Sequence, residues 1–133
     1  MKPYLLQISV LSAGFLLAAS GWAQSSSPQP LVIPLSSVSA SHDLLTGPPQ
    51  TAGMRSGFVR LKPGETVGWH TSGAHEETLV ILHGHGAALI EGQVDRPLVA
   101  PAVAYIPPST RHNVKNTGSE PLEYVYVVAP AGK

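Results

Sequence analysis

Residues 63–86, PGETVGWHTSGAHEETLVILHGHG, decide the fold of this chain. A second stretch, residues 101–118, PAVAYIPPSTRHNVKNTG, answers them. Histidines and a glutamate stand at set intervals between turns marked by glycine and proline. His70 follows Gly64 by six residues, and Glu77 precedes Gly84 by seven. His112 follows Pro107 by five and precedes Asn116 by four. Imidazole and carboxylate are the ligand types that borderline and harder transition metals favour. Short strand-like runs flank each of these residues, so their side chains can converge inside a small barrel.

Outward from these stretches the pattern is all-β. Residues 56–61 alternate and are rich in strand formers, and Lys62-Pro63-Gly64-Glu65 marks a turn. Residues 66–71 are predicted as a strand carrying Trp69 and His70 on opposite faces. Residues 77–82 form an apolar strand closed by Gly84-His85-Gly86, and residues 87–91 and 93–99 follow on either side of Gly92. Residues 102–106 end at Pro107-Pro108, and residues 111–115 turn at Asn116-Thr117-Gly118. Residues 122–128 are a long β-branched and aromatic run. Several short strands with regular turn signals predict a sandwich or barrel, and no segment shows a helical period.

The N-terminus reads differently. Lys2 precedes an apolar stretch over residues 4–19, and Gly21-Trp22-Ala23 offers small residues at the two positions a signal peptidase reads. Residues 1–23 are therefore expected to be a signal peptide cleaved after Ala23. That predicts a periplasmic or secreted protein with no stable membrane anchor after cleavage. The roughly 110 residues left suit one domain. Residues 24–53 read as a linker and edge segment. QSSSPQP at 24–30 is flexible in composition. Residues 31–35 are expected as an edge strand, the place where Pro34 is tolerated. Residues 36–52 are expected as loop around Gly47-Pro48-Pro49. Residues 54–130 make the barrel domain. The chain has no cysteine, which excludes disulfides, thiol catalysis and lipid attachment at a cysteine. Without Lys2, seven basic residues face eight acidic ones and no basic stripe is present, so no nucleic-acid partner is expected. Phosphate-loop, dinucleotide and nucleophile-elbow motifs are absent.

The two stretches resemble the two sequence motifs of the cupin superfamily. The first motif runs Gly, five residues, His, one residue, His, three or four residues, Glu, six residues, Gly. Gly64, His70, Glu77 and Gly84 match it, and Ser72 occupies the place of the second histidine. The second motif runs Gly, five residues, Pro, one residue, Gly, two residues, His, three residues, Asn. Pro107, His112 and Asn116 match it, with Pro101 and Ser109 in place of the glycines. The resemblance spans roughly Met54 to Val128. It implies a small single-domain barrel, all-β, of the double-stranded β-helix or jelly-roll type. It also implies one divalent metal ion per chain, Fe, Mn, Ni or Zn.

His70, Glu77 and His112 are the first ligand candidates. Two histidines and one carboxylate leave coordination positions open for substrate or oxygen. Glu77 opens an otherwise apolar strand, so once buried its carboxylate must be paired or bind metal. Read singly, each is equally a hydrogen-bonded polar residue near a turn. His75 is the fourth candidate: the glycine-bearing segment 72–76 can bulge and bring it into the place left by Ser72, or leave it as a surface turn histidine. Ser72 shares the face of His70 and suits a hydrogen bond to a metal-bound water. Glu76 is expected to face out, opposite Glu77.

His83 and His85 read as surface residues. Trp69, Tyr105, Tyr124 and Tyr126 are expected in the core or a pocket wall. Arg60 and Arg111 are candidates for an anionic substrate, with an exposed structural arginine as the plainer reading. No residue is singled out as catalytic. Two functions fit. One is an exported mononuclear metalloenzyme of dioxygenase, isomerase or lyase type, acting on a small organic acid or enol. The other is a non-catalytic module that binds a sugar or organic acid, a reading the missing second histidine supports. Fold alone does not choose between them. The resemblance implies pairing through edge strands, and the apolar run 122–128 points to a homodimer.

Overall fold

Residues 27–132 are described by the structure, a computed structural model; the expected signal peptide and its cleavage site lie outside them. Eight strands follow a short 3-10 turn at Leu35–Ser37. They are β1 (His42–Thr46), β2 (Arg55–Leu61), β3 (His75–His83) and β4 (His85–Ile90), then β5 (Arg96–Val99), β6 (Ala102–Ile106), β7 (His112–Asn116) and β8 (Leu122–Pro130). Every named strand pairing is antiparallel. One sheet has the order β1-β2-β8-β3-β6, the other β5-β4-β7. This is the all-β jelly-roll barrel expected from the sequence.

Alternation decides which residues enter the core. On β3, Glu77, Leu79 and Ile81 are buried while Thr78 and Val80 between them are only half-buried. The same rhythm holds on β4, and the inward side chains of the two sheets make one apolar cluster, with Leu61, Leu79, Ile81, Leu122 and Tyr124 from the larger sheet against Ala88, Leu98 and Val114 from the smaller. Leu79, Ile81 and Leu122 are almost completely buried. Each such side chain contributes about 1.5–3 kcal/mol.

The structure departs from expectation in the leading segment and in one central run. Residues 31–34 form no strand, and Leu35 begins the 3-10 turn instead. Pro30 and Pro34 bracket that run and remove two donors a ladder would need. The edge strand lies further on: β1 sits inside the segment expected as loop and pairs with β2. Its sequence, HDLLT, is half polar because an edge strand shows one side to water. Residues 66–71 form no strand; they meet β7 through the isolated bridges Thr66–Lys115 and His70–His112 and through the bonds of Val67 N–H to the Val114 carbonyl and Gly68 N–H to Asn113 Oδ1. Gly68 lies between the bridges at φ +91°, a left-handed conformation that breaks the pleat. The run 122–128 is not an edge. β8 lies between β2 and β3, so the edges left open in its sheet are β1 and β6. Among the described residues, no helix is long and apolar enough to cross a membrane.

Candidate metal centre

The backbone brings the two motifs together. His70 and His112 form a mutual antiparallel pair, with N–H···O bonds of 2.9 and 2.8 Å in the two directions. Directly paired residues project to one face, and the two rings lie 4.3 Å apart between centroids. Glu77 enters from β3 on the buried face of the opposite sheet. One ligand atom from each of His70, Glu77 and His112 falls within 4.8 Å of the others. His75 is not in this group; its Nδ1 is held 3.2 Å from the Ser72 carbonyl.

The tautomers of both histidines are set by the backbone. Nδ1 of His70 donates to the Gly68 carbonyl at 2.9 Å, and Nδ1 of His112 donates to the Thr110 carbonyl at 2.9 Å. A carbonyl only accepts, so each Nδ1 carries a proton and each neutral ring presents the lone pair of Nε2. His112 is completely buried, and its Nε2 has no hydrogen-bond partner. That atom stands 3.3 Å from Glu77 Oε2 without hydrogen-bond alignment. A lone pair facing a carboxylate oxygen in a buried site calls for a cation between them, a proton or a metal ion. Two imidazoles and a carboxylate suit a divalent transition metal. The residues therefore fit the metal that the motifs imply.

Ser72, at the place of the missing histidine, donates its hydroxyl to Glu77 Oε2 at 2.5 Å. It orients the carboxylate directly, where a bond to a metal-bound water was expected. Ser109, which replaces a motif glycine, keeps the glycine conformation at φ 57° and ties its N–H to the Gly73 carbonyl. Glu76 faces out as expected and accepts the Tyr105 hydroxyl at 3.1 Å. Trp69 and Tyr105 are exposed, not core; Trp69 stacks under Arg111, whose guanidinium carbon is 5.3 Å from the ring centre.

A cavity of about 470 Å³ opens over this cluster, lined by His70, Ser72 and Glu77 at one end and by Asp43, Arg55 and Tyr126 at the other. Motif spacing marks the first end and not the second, which depends on cross-strand register. Asp43, Gly57 and Tyr126 stand opposite one another on β1, β2 and β8. A Cβ at Gly57 would lie 2.5 Å from the Tyr126 ring, so the missing side chain is what lets that ring lean across β2. Its hydroxyl then donates to Asp43 Oδ1 at 3.0 Å.

Charge coupling follows from the geometry. Burial pushes the Glu77 carboxyl up, but His112, the Ser72 hydroxyl and the His70 charge outweigh it and hold it below the ordinary 4.5. Burial pushes His112 down, but Glu77 and the Thr110 carbonyl outweigh it and raise the ring above 6.5. In metal-free protein the lowered Glu77 stabilises fully above pH 4.5, and this is lost as pH falls through its folded value. The raised His112 stabilises fully below pH 6.5, and this is lost as pH rises through its folded value. The stability difference between the metal-free parent and Glu77→Gln should therefore be largest between pH 4.5 and 6.5. Urea unfolding across pH measures it; a difference that keeps growing above pH 6.5 would contradict the pairing. Metal uptake requires neutral His112 and should weaken as pH falls through the ring's folded value, above 6.5.

The family model described as a cupin domain matches residues 57–128. The chain belongs to the cupin family. This cupin is 30% identical over 108 residues to the tetracenomycin polyketide synthase protein TcmJ of Streptomyces glaucescens, covering 74% of this chain and 70% of that one. It is 34% identical over 73 residues to an oxalate-binding protein of Thermotoga maritima; the match takes in 53% of the cupin described above and 60% of the relative's length. Among solved structures, protein BH2720 of Bacillus halodurans shares the fold with a TM-score of 0.68 at 22% identity, over 80% of this chain and 85% of that one.

Proposed function

We propose that this cupin binds one divalent ion, Fe, Mn, Ni or Zn, through His70, Glu77 and His112, and acts on a small organic acid or enol in the adjoining cavity. Dioxygenase, isomerase and lyase chemistry are the reaction types in view. The observation that carries the reading is the buried, partnerless Nε2 of His112 aimed at Glu77 beside His70. A bound ion would supply Lewis acidity toward substrate oxygens. The chain's part is to hold that ion, to fix the Glu77 carboxylate through Ser72, and to shield the site with valines such as Val59 and Val114. We further propose that the mature protein is exported, on the strength of residues 1–23.

Ser72 in place of a ligand histidine favours a second reading, binding without turnover, and the name of the Thermotoga maritima relative points the same way. A panel of small organic acids and enols, followed by oxygen uptake and product analysis with and without metal, separates the two. The enzyme reading expects metal-dependent consumption of at least one compound. Saturable binding with no consumption across the panel would leave the binding reading.

The ligand set is tested at His75. With its Nδ1 held by the Ser72 carbonyl, His75→Ala should keep the metal affinity of the parent in a chelating-dye competition. A loss on the order of 10-fold or more would add His75 as a fourth ligand.

A further inference from the structure

We propose that Arg55 is a second attachment point in this cavity, and that the ligand is a short two-ended acid. One oxygen-bearing end meets the His70–Glu77–His112 site, and a carboxylate at the other end meets the Arg55 guanidinium. The proposal rests on the metal-binding reading of the same pocket.

Register places the two ends. Arg55 pairs with Val128 across β2 and β8, and Val128 pairs with Glu77 across β8 and β3. The three residues form one row, and paired residues share a face, so Arg55 and Glu77 both project into the barrel. Two strand spacings put their Cα atoms about 10 Å apart. Val128 lies between them, and Leu45 and Val59 line the same cavity. A ligand bridging the two ends therefore runs over apolar side chains.

Among the described residues, Arg55 differs from Arg60 and Arg111 in having no ion-pair partner. Arg60 pairs with Glu123 at 3.1 Å and Arg111 with Glu91 at 2.7 Å. Its stem passes over Gly47, where an added Cβ would be 3.4 Å from Arg55 Cγ. Asp43 shares the cavity, but its Oδ1 already accepts the Tyr126 hydroxyl. With a divalent ion bound, the ion and Arg55 outweigh the carboxylates of Glu77 and Asp43, so the cavity favours an anion. A guanidinium fork matches a carboxylate in two parallel hydrogen bonds. The carboxylates of oxalate sit on adjacent carbons and are too close together to engage both ends.

The test uses the protein reconstituted with zinc. Calorimetric titration compares oxalate, succinate, glutarate and adipate with butyrate, pentanoate and hexanoate. At least one of the longer diacids should bind about 10-fold or more tighter than both oxalate and the monoacid of equal length, as expected for a charge-assisted contact. Arg55→Gln should abolish that preference with zinc content unchanged, while Arg60→Gln, on the outer face of the same strand, should keep it. Equal binding of diacids and monoacids, oxalate binding tightest, or a preference that survives Arg55→Gln would overturn the assignment. A parent that takes up neither zinc nor Fe(II), Mn(II) or Ni(II) in its place overturns the metal reading instead, and with it the first attachment point.

Discussion

His112→Ala is expected to lower metal affinity by more than about 100-fold and to destabilise the metal-free protein by about 3–5 kcal/mol. Loss of a residue that merely orients a ligand costs 10–100-fold, and His112 is itself a ligand in this account. The second effect comes from burial. His112 is fully buried and Glu77 is 5% exposed. Removing the ring leaves a buried carboxylate facing a cavity, and breaking a buried charge pair from one side costs about 3–5 kcal/mol. Chelator competition reads the first effect and urea unfolding of the metal-free protein the second. A variant that keeps parent metal affinity would show that His112 is a packed core histidine and no ligand.

Asn116→Ala is expected to cost about 3 kcal/mol of stability while leaving the metal affinity of the folded protein unchanged. The motif places this asparagine four residues after a ligand, yet its work is structural. Asn116 is fully buried. Its Nδ2 donates to the Leu61 carbonyl at 2.9 Å and to the Glu120 carbonyl at 2.8 Å, and its Oδ1 accepts the Gly118 N–H at 2.9 Å. One side chain thus joins the end of β2 to the turn between β7 and β8. Alanine would take this partner from two backbone carbonyls, at about 1–3 kcal/mol each, while the Gly118 N–H keeps its second bond, to the His85 carbonyl at 3.2 Å. Thermal and urea unfolding measure the loss. A cost below about 1 kcal/mol would mean that water replaces the amide and that the turn does not depend on it.

These two residues show what a sequence discloses and what it withholds. The spacing of His70, Glu77 and His112 fixed their convergence because strand pairing turns fixed intervals into fixed faces. β3 and β8 were legible from apolar, β-branched runs. β1 was not, since an edge strand with one wet side has no apolar pattern to recognise. Residues 66–71 carried strand-forming residues but also Gly68, whose positive φ interrupts the ladder. The sequence points to Arg60 and Arg111 as anion-binding candidates and not to Arg55. Nothing local marks it, and its place opposite Glu77 appears only when β2, β8 and β3 are set in register. Trp69 and Tyr105 lie outside the core for a related reason, although Tyr105 does line a second cavity. Aromatic bulk predicts burial on average, and here one stacks with Arg111 and the other bonds Glu76 at the surface.

Metal content after anaerobic reconstitution with Fe(II), Mn(II), Ni(II) or Zn(II) and desalting shows whether His70, Glu77 and His112 together hold one ion. One ion per chain is expected in the parent for at least one of these metals, and none in the double variant His70→Ala, His112→Ala. No metal in the parent, or equal loading of the double variant, would contradict that shared site.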